Sequence, residues 1–128
     1  MDYVLNLSAF LAHLISGHPK HEAVEERLST AAEIVVPDLL IVELQWVALS
    51  RRYPEINVEV LREVLEAIQN DPSSKVVAVT PDVAAEQTRW YNRLSFFDAY
   101  YAAFSIVHGK KLLTTDPHFK PYDFAEVV

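Results

Sequence analysis

The chain has no cysteine, only two glycines in 128 residues, and fewer basic than acidic side chains, 11 against 18. Without thiols there are no disulfides and no thiolate metal sites, a composition suited to a reducing compartment. Two glycines against seven prolines leave little flexible linker, no segment is of low complexity, and no repeat recurs at solenoid periods. Long apolar runs are missing as well. Stretches such as "AYYAAFSIV" (99–107) are too short to span a bilayer, and no basic run precedes an apolar core at the N-terminus. A soluble, cytoplasmic protein with no membrane segment is the expectation. The formal charge of −7 argues against a simple electrostatic nucleic-acid binder, which gains affinity by neutralising phosphates. Net charge is not local potential, however, because acids loaded with divalent cations present positive charge to a substrate.

What is present is a 51% apolar composition, enough for one filled core, so residues 1–128 are expected to form a single domain. Short β-favouring runs at Tyr3–Leu7, 33–37, 75–79, 111–115 and 124–128 alternate with helical patterns. The helices are predicted to run from the first strand to about Ile15, then over 20–32, 38–52 and 57–70, from Thr80 to about Leu94, and from Ser95 through His108. Such alternation predicts an α/β fold with a mostly parallel sheet covered on both faces. Ligands of such sheets bind beyond the carboxyl ends of the strands.

Few polar residues are expected at those ends. Asn6 and Ser8 follow the first strand, Glu43 lies one and a half turns into the helix after the second, Asp98 sits in the first turn of the helix before the fourth, and Asp116 ends the fourth. Glu43 is the only charged residue between Leu39 and Ser50. A helix apolar almost all round is expected to be mostly buried, and an unpaired carboxylate there would cost several kcal/mol, so Glu43 needs a cation partner or a proton. A salt bridge to Arg or Lys is the ordinary alternative. Asp98 could simply close the capping box "SFFD" with Ser95, and Asp116 could start an Asp-Pro turn. Three acids at one end of one sheet, in a chain without thiols, are explained together as oxygen ligands for a hard divalent cation.

Read together, "YVLNLSAFL", "VPDLLIVEL" and "LSFFDAYYAAFSIVHGKKLLTTD" resemble the successive motifs of the PIN domain family, in particular the small prokaryotic toxins of the VapC type. The resemblance implies an α/β/α sandwich around a parallel sheet, a Mg²⁺- or Mn²⁺-dependent ribonuclease acting on RNA, frequent homodimers and an antitoxin partner. Carried over by position, it implies that Glu43, Asp98 and Asp116 are the metal-site acids, that Asn6 stands where the family has its first aspartate, and that Ser8 and Thr115 fall where the family has small hydroxyl residues. Metal ions held by carboxylates would activate a water and clamp the phosphate oxygens. Ser8 and Thr115 would orient waters or phosphate oxygens, although a capping hydroxyl is the plain alternative.

Asn6 departs from the pattern, offering a neutral oxygen in place of a charge. That departure keeps a non-catalytic PIN-like module, binding RNA or protein, open as a second reading. Asp2 is no stand-in, since four residues of strand span about 13 Å. A phosphohydrolase of the haloacid dehalogenase type would need an aspartate nucleophile where "NLS" stands. Arg89 with Arg93, and Arg51 with Arg52, could touch RNA phosphate or simply lie on solvated helix ends. His13, His18 and His21 lack the closely fixed ligand set of a zinc site, and His118 could touch substrate or lie in a surface turn. Trp46, Trp90, Tyr91, Tyr100, Tyr101 and Phe104 exceed what one small core absorbs, which suggests self-association.

Overall fold

The computed structural model describes residues 2–128. Five strands, β1 (Tyr3–Leu5), β2 (Ile34–Pro37), β3 (Ser74–Val77), β4 (Lys111–Thr114) and β5 (Ala125–Val127), form one sheet in the order β3-β2-β1-β4-β5. Every pairing is parallel. The helices are α1 (Leu7–Leu14), α2 (His21–Leu28), α3 (Asp38–Ser50), α4 (Val58–Asn70), α5 (Pro81–Trp90) and α6 (Phe96–His108). The predicted α/β fold with a parallel sheet is therefore the one the chain adopts. Among the described residues no helix is long and apolar enough to cross a membrane.

The two central strands are short because each gives way to a side-chain-capped helix or turn. β1 stops at Leu5, two residues earlier than predicted, because the Asn6 side chain accepts the Ala9 N–H at 3.1 Å and starts α1. β4 stops at Thr114 rather than at residue 115, and Asp116 caps the following turn by accepting the His118 N–H. α2 stops at Leu28 because the Ser29 and Thr30 hydroxyls bond back to the carbonyls of Glu26 and Arg27, competing with further helix. α3 ends at Ser50 with Arg51 in the left-handed region, φ 58°. α5 ends at Trp90, before the predicted Leu94, as Leu94 turns inward to the core.

β1 and β4 are central and buried on both faces. Val4, Leu5, Leu112 and Leu113 are fully enclosed, with Phe10, Leu40, Leu44, Tyr101 and Phe104 packed around them. Of the aromatics expected to drive association, Tyr101 and Phe104 fill the core, whereas Trp46 and Tyr91 are half exposed. The order of the strands sets the functional end: the chain leaves β1, β2 and β4 side by side, so Asn6, the start of α3 and Asp116 emerge at one edge.

Candidate active site

Asn6, Ser8, Glu43, Asp98 and Asp116 line a single cavity of about 300 Å³, together with Leu7, Leu11, Trp46, Val47, Tyr53, Ile56 and Tyr101. It lies at the carboxyl end of the sheet, where β1 and β4 terminate. Asp2, at the other end of β1, accepts the Glu33 N–H and faces Lys110.

The floor of the site is a closed ring of hydrogen bonds. Asn6 is buried, and its orientation is fixed because the Ala9 N–H can only donate, so the atom facing it is the amide oxygen. That oxygen also accepts from the Ser8 hydroxyl at 3.0 Å, while Asn6 Nδ2 donates to Thr114 Oγ1 at 2.7 Å. Thr114 Oγ1 accepts the Asp116 N–H at 3.0 Å as well. With both its acceptor positions used, the Thr114 proton is left for Ser8 Oγ, 3.4 Å away. Ser8 and Thr115 are the two hydroxyls expected from the sequence to orient waters or phosphate oxygens. Thr115 enters the network through its backbone N–H, which donates to Ser8, and it is Thr114 whose hydroxyl joins Asn6 to Ser8.

The acids stand above this floor. Glu43 has no cation: the buried Tyr101 hydroxyl donates to its Oε1 at 2.7 Å, and no ion pair to it exists among the described residues. Burial pushes the Glu43 carboxyl up to about 7; the Tyr101 hydrogen bond opposes the rise and the Asp98 charge adds to it. Asp98 is also raised, first by burial and then by the charge of Asp116, against a hydrogen bond from Ser95 and the influence of His118. Ser95 accepts the Asp98 N–H at 3.4 Å, so one half of the expected capping box forms while the carboxylate lines the cavity. Asp116 Oδ1 accepts from the His118 backbone N–H at 2.9 Å and contacts His118 Nδ1 at 2.8 Å.

α3 is not buried all round as its composition suggested. Val42, Trp46 and Leu49 are 57%, 49% and 60% exposed, so its apolar sequence serves both a core face and a solvent face. Of the arginines, Arg89 pairs with Glu86 and Arg93 stacks over Trp90, and neither lines the cavity. Arg51 borders an adjoining hollow that shares Tyr53 and Ile56 with the site. His13, His18 and His21 have separate partners in Glu25, the Lys20 N–H and the Ala12 carbonyl.

A model of the PIN domain matches residues 3–125. The chain belongs to the PIN domain family. No curated protein matches it. Among solved structures this PIN domain is similar to Mycobacterium tuberculosis VapC20, described as a Sarcin-Ricin loop cleaving toxin, with a TM-score of 0.71 and 23% identity over 98% of each chain. It is also similar to VapBC2 from Rickettsia felis, bound to a DNA fragment from its promoter, with a TM-score of 0.70 and 14% identity over 100% of this chain and 98% of that one. A third is the toxin-antitoxin system VapBC-5 of Mycobacterium tuberculosis, with a TM-score of 0.66 and 18% identity over 99% and 97%. At these identities the likeness shows a shared fold.

The donor set of this PIN domain suits a hard cation. It offers three carboxylates, hydroxyls and an amide oxygen, all oxygen ligands. Among the described residues no three His, Asp or Glu side chains stand close enough, as placed, to hold one ion. Glu43, Asp98 and Asp116 would have to move closer together to hold one ion jointly. Asn6 Oδ1 could ligate only by giving up a bond from Ser8 or Ala9.

Two outcomes are expected. Thr114→Val keeps the shape but leaves Asn6 Nδ2 and the Asp116 N–H without their acceptor, so urea unfolding should show a loss of about 2–3 kcal/mol. The second concerns pH. Because the folded-state pKa of Glu43, about 7, lies above its ordinary 4.5, ionisation costs the folded state more than the unfolded one. The penalty is absent below about pH 4.5, grows as pH rises through 7, and reaches at most about 3 kcal/mol above it. With chelator present, the melting temperature should be higher at about pH 5.5 than at about pH 8, and Glu43→Gln should shrink that difference.

Proposed function

We propose that the protein is a Mg²⁺- or Mn²⁺-dependent endoribonuclease of the VapC type. The observation that carries this reading is the convergence of Glu43, Asp98 and Asp116 on one cavity, with neither Glu43 nor Asp98 in an ion pair among the described residues. Carboxylates held in a low-dielectric pocket against their own repulsion are stabilised by a divalent ion. Glu43, Asp98 and Asp116 would hold it, with Asn6 and Ser8 beside it. When bound, such an ion supplies a water of lowered pKa and neutralises charge growing on the phosphate.

The chain's own residues do the rest. Ser8 and the backbone around Thr115 hold polar groups at the mouth of β1 and β4 where waters or phosphate oxygens can be oriented. Trp46 and Tyr53, each about half exposed, offer aromatic faces at the rim of the cavity, and Arg52 lies over the Trp46 ring at 5.3 Å. Aromatic faces beside a phosphate site favour an unpaired strand whose bases can stack. Arg51, in the hollow that adjoins the site, is better placed for phosphate than Arg89 or Arg93.

The exposed apolar side of α3 continues into a hollow lined by Ile41, Val42, Val79, Phe96, Phe97 and Tyr100. A patch of that kind supports a homodimer. The likeness to VapBC toxin-antitoxin structures supports an antitoxin as the further partner. The non-catalytic reading is favoured by Asn6 alone, whose amide completes the hydrogen-bond ring without contributing charge.

Asn6→Asp separates the two readings. The aspartate keeps the cap to Ala9 and the bond from Ser8, and Thr114 has only to turn its proton toward the new oxygen. The variant should fold, tighten Mn²⁺ binding and raise metal-dependent RNA cleavage, and its metal-free form should melt slightly lower because a fourth negative charge joins the site. Titration, cleavage and melting of both forms, with and without chelator, measure this. Equal metal affinity and no cleavage in either form would support the binding module.

A further inference from the structure

The aromatics of α6 were expected to serve packing or association, but one of them points its single polar atom into the site. Tyr101 is 1% exposed, and its hydroxyl is 2.7 Å from Glu43 Oε1, a well-formed hydrogen bond from a hydroxyl to a carboxyl oxygen. It stands three residues after Asp98 in the same helix, hence on the same face, and with Leu7 at the start of α1 it lines the cavity. One phenol oxygen therefore joins α6 to α3 at the cavity wall. Glu43 Oε2 receives no donor among the described residues, and it is not an orphaned buried atom, so it is the oxygen left open to the cavity.

We propose that Tyr101 is a positioning residue that makes Glu43 a one-oxygen ligand, and that it thereby sets the site's preference for a small octahedral ion over Ca²⁺. The inference rests on the metal-site reading above. Ca²⁺ accepts six to eight oxygens and readily takes both oxygens of a carboxylate, whereas Mg²⁺ holds several waters and takes few protein oxygens at short, regular distances. Two-oxygen binding by Glu43 requires the cation to approach Oε1 as well, and one lone pair of Oε1 is held by a rigid phenol enclosed in the core, which fixes the carboxylate with Oε2 toward the cavity. Releasing it strands a buried hydroxyl without a partner, which is unfavourable. Asp116 is limited in the same way, its Oδ1 being occupied by His118. Only the Tyr101 contact is buried, so it is the one that cannot be replaced by water.

Tyr101→Phe keeps the ring and removes the donor. Binding of Mg²⁺, Mn²⁺ and Ca²⁺ to the full chain is measured by calorimetry, with circular dichroism and melting as checks on folding. The expected result is a loss of about 10-fold in Mg²⁺ and Mn²⁺ affinity, the usual scale for removing a partner of a ligand, with a smaller loss for Ca²⁺, so that selectivity narrows. In a Glu43→Gln background the same change should have no further effect on selectivity. Equal affinity in the Tyr101→Phe and parent chains, or an equal loss for all three ions, would overturn the inference. If the parent binds Mg²⁺ and loses it in Glu43→Gln and Asp98→Asn while Tyr101→Phe is silent, only the Tyr101 inference fails. If the parent binds no divalent ion, the metal-site reading fails and takes the inference with it. Should Tyr101→Phe not fold, the hydroxyl proton of Tyr101 in the parent, followed by NMR, must shift on adding Mg²⁺; an unmoved resonance overturns the inference.

Discussion

Thr114 holds the two central strands in the register on which the site depends. Its hydroxyl accepts from Asn6 at the end of β1 and from the Asp116 backbone just beyond β4, and its proton has Ser8 as its remaining partner. The parallel ladder aligns Leu5 with Leu113, but a ladder alone does not say how the chain leaves the sheet. The ring of Asn6, Ser8 and Thr114 does, because each member both donates and accepts and no member can turn without leaving a buried polar group unpaired. α1 begins at a fixed point, Asp116 is presented at a fixed point, and the cavity between them has a rigid floor.

Above that floor the balance runs the other way. The fold gathers carboxylates from α3, α6 and the end of β4 and gives only Asp116 an ion-pair partner among the described residues, His118, while burial raises the pKa of Glu43 and of Asp98. A protein selected only for stability would have placed an arginine within reach or an apolar side chain in the wall, since a well-packed apolar group is often as stable as a buried ion pair. Lys110 is spent at the opposite end of the sheet on Asp2 and Glu33. The two raised acids are perturbed first by burial and further by a neighbouring acid, the arrangement expected where perturbed ionisation serves a function.

Much of this was legible in the residues. Alternating β and helical patterns placed the parallel sheet, and the position of each acid relative to a strand end brought Glu43, Asp98 and Asp116 to one cavity. What hydropathy could not separate was burial from exposure on α3, because Val42, Trp46 and Leu49 read the same whether they face a core or solvent. Nor could it separate Tyr101 from the other aromatics of α6: a tyrosine in an apolar helix carries no sign of whether its hydroxyl meets solvent or a carboxylate. It is the hydroxyl of Thr114, one residue before Thr115, that meets Asn6 and Ser8, because neighbouring side chains along a strand point to opposite sides.

Asn6 is where stability and charge meet. An aspartate at that position has no proton to give Thr114, so the ring as drawn closes only with an amide. The amide therefore leaves a complete hydrogen-bond cycle under an incomplete set of acids. Three carboxylates are still enough oxygen for one small cation, because such an ion keeps much of its water. The fourth negative charge would act chiefly on how strongly an ion is held and how far a bound water is acidified, and it would do so at the expense of repulsion with Asp98 and Asp116 whenever the ion is absent. The residue at the mouth of β1 thus sets a trade between a stable empty site and a strongly charged one, while the geometry that Thr114 enforces is the same in either case.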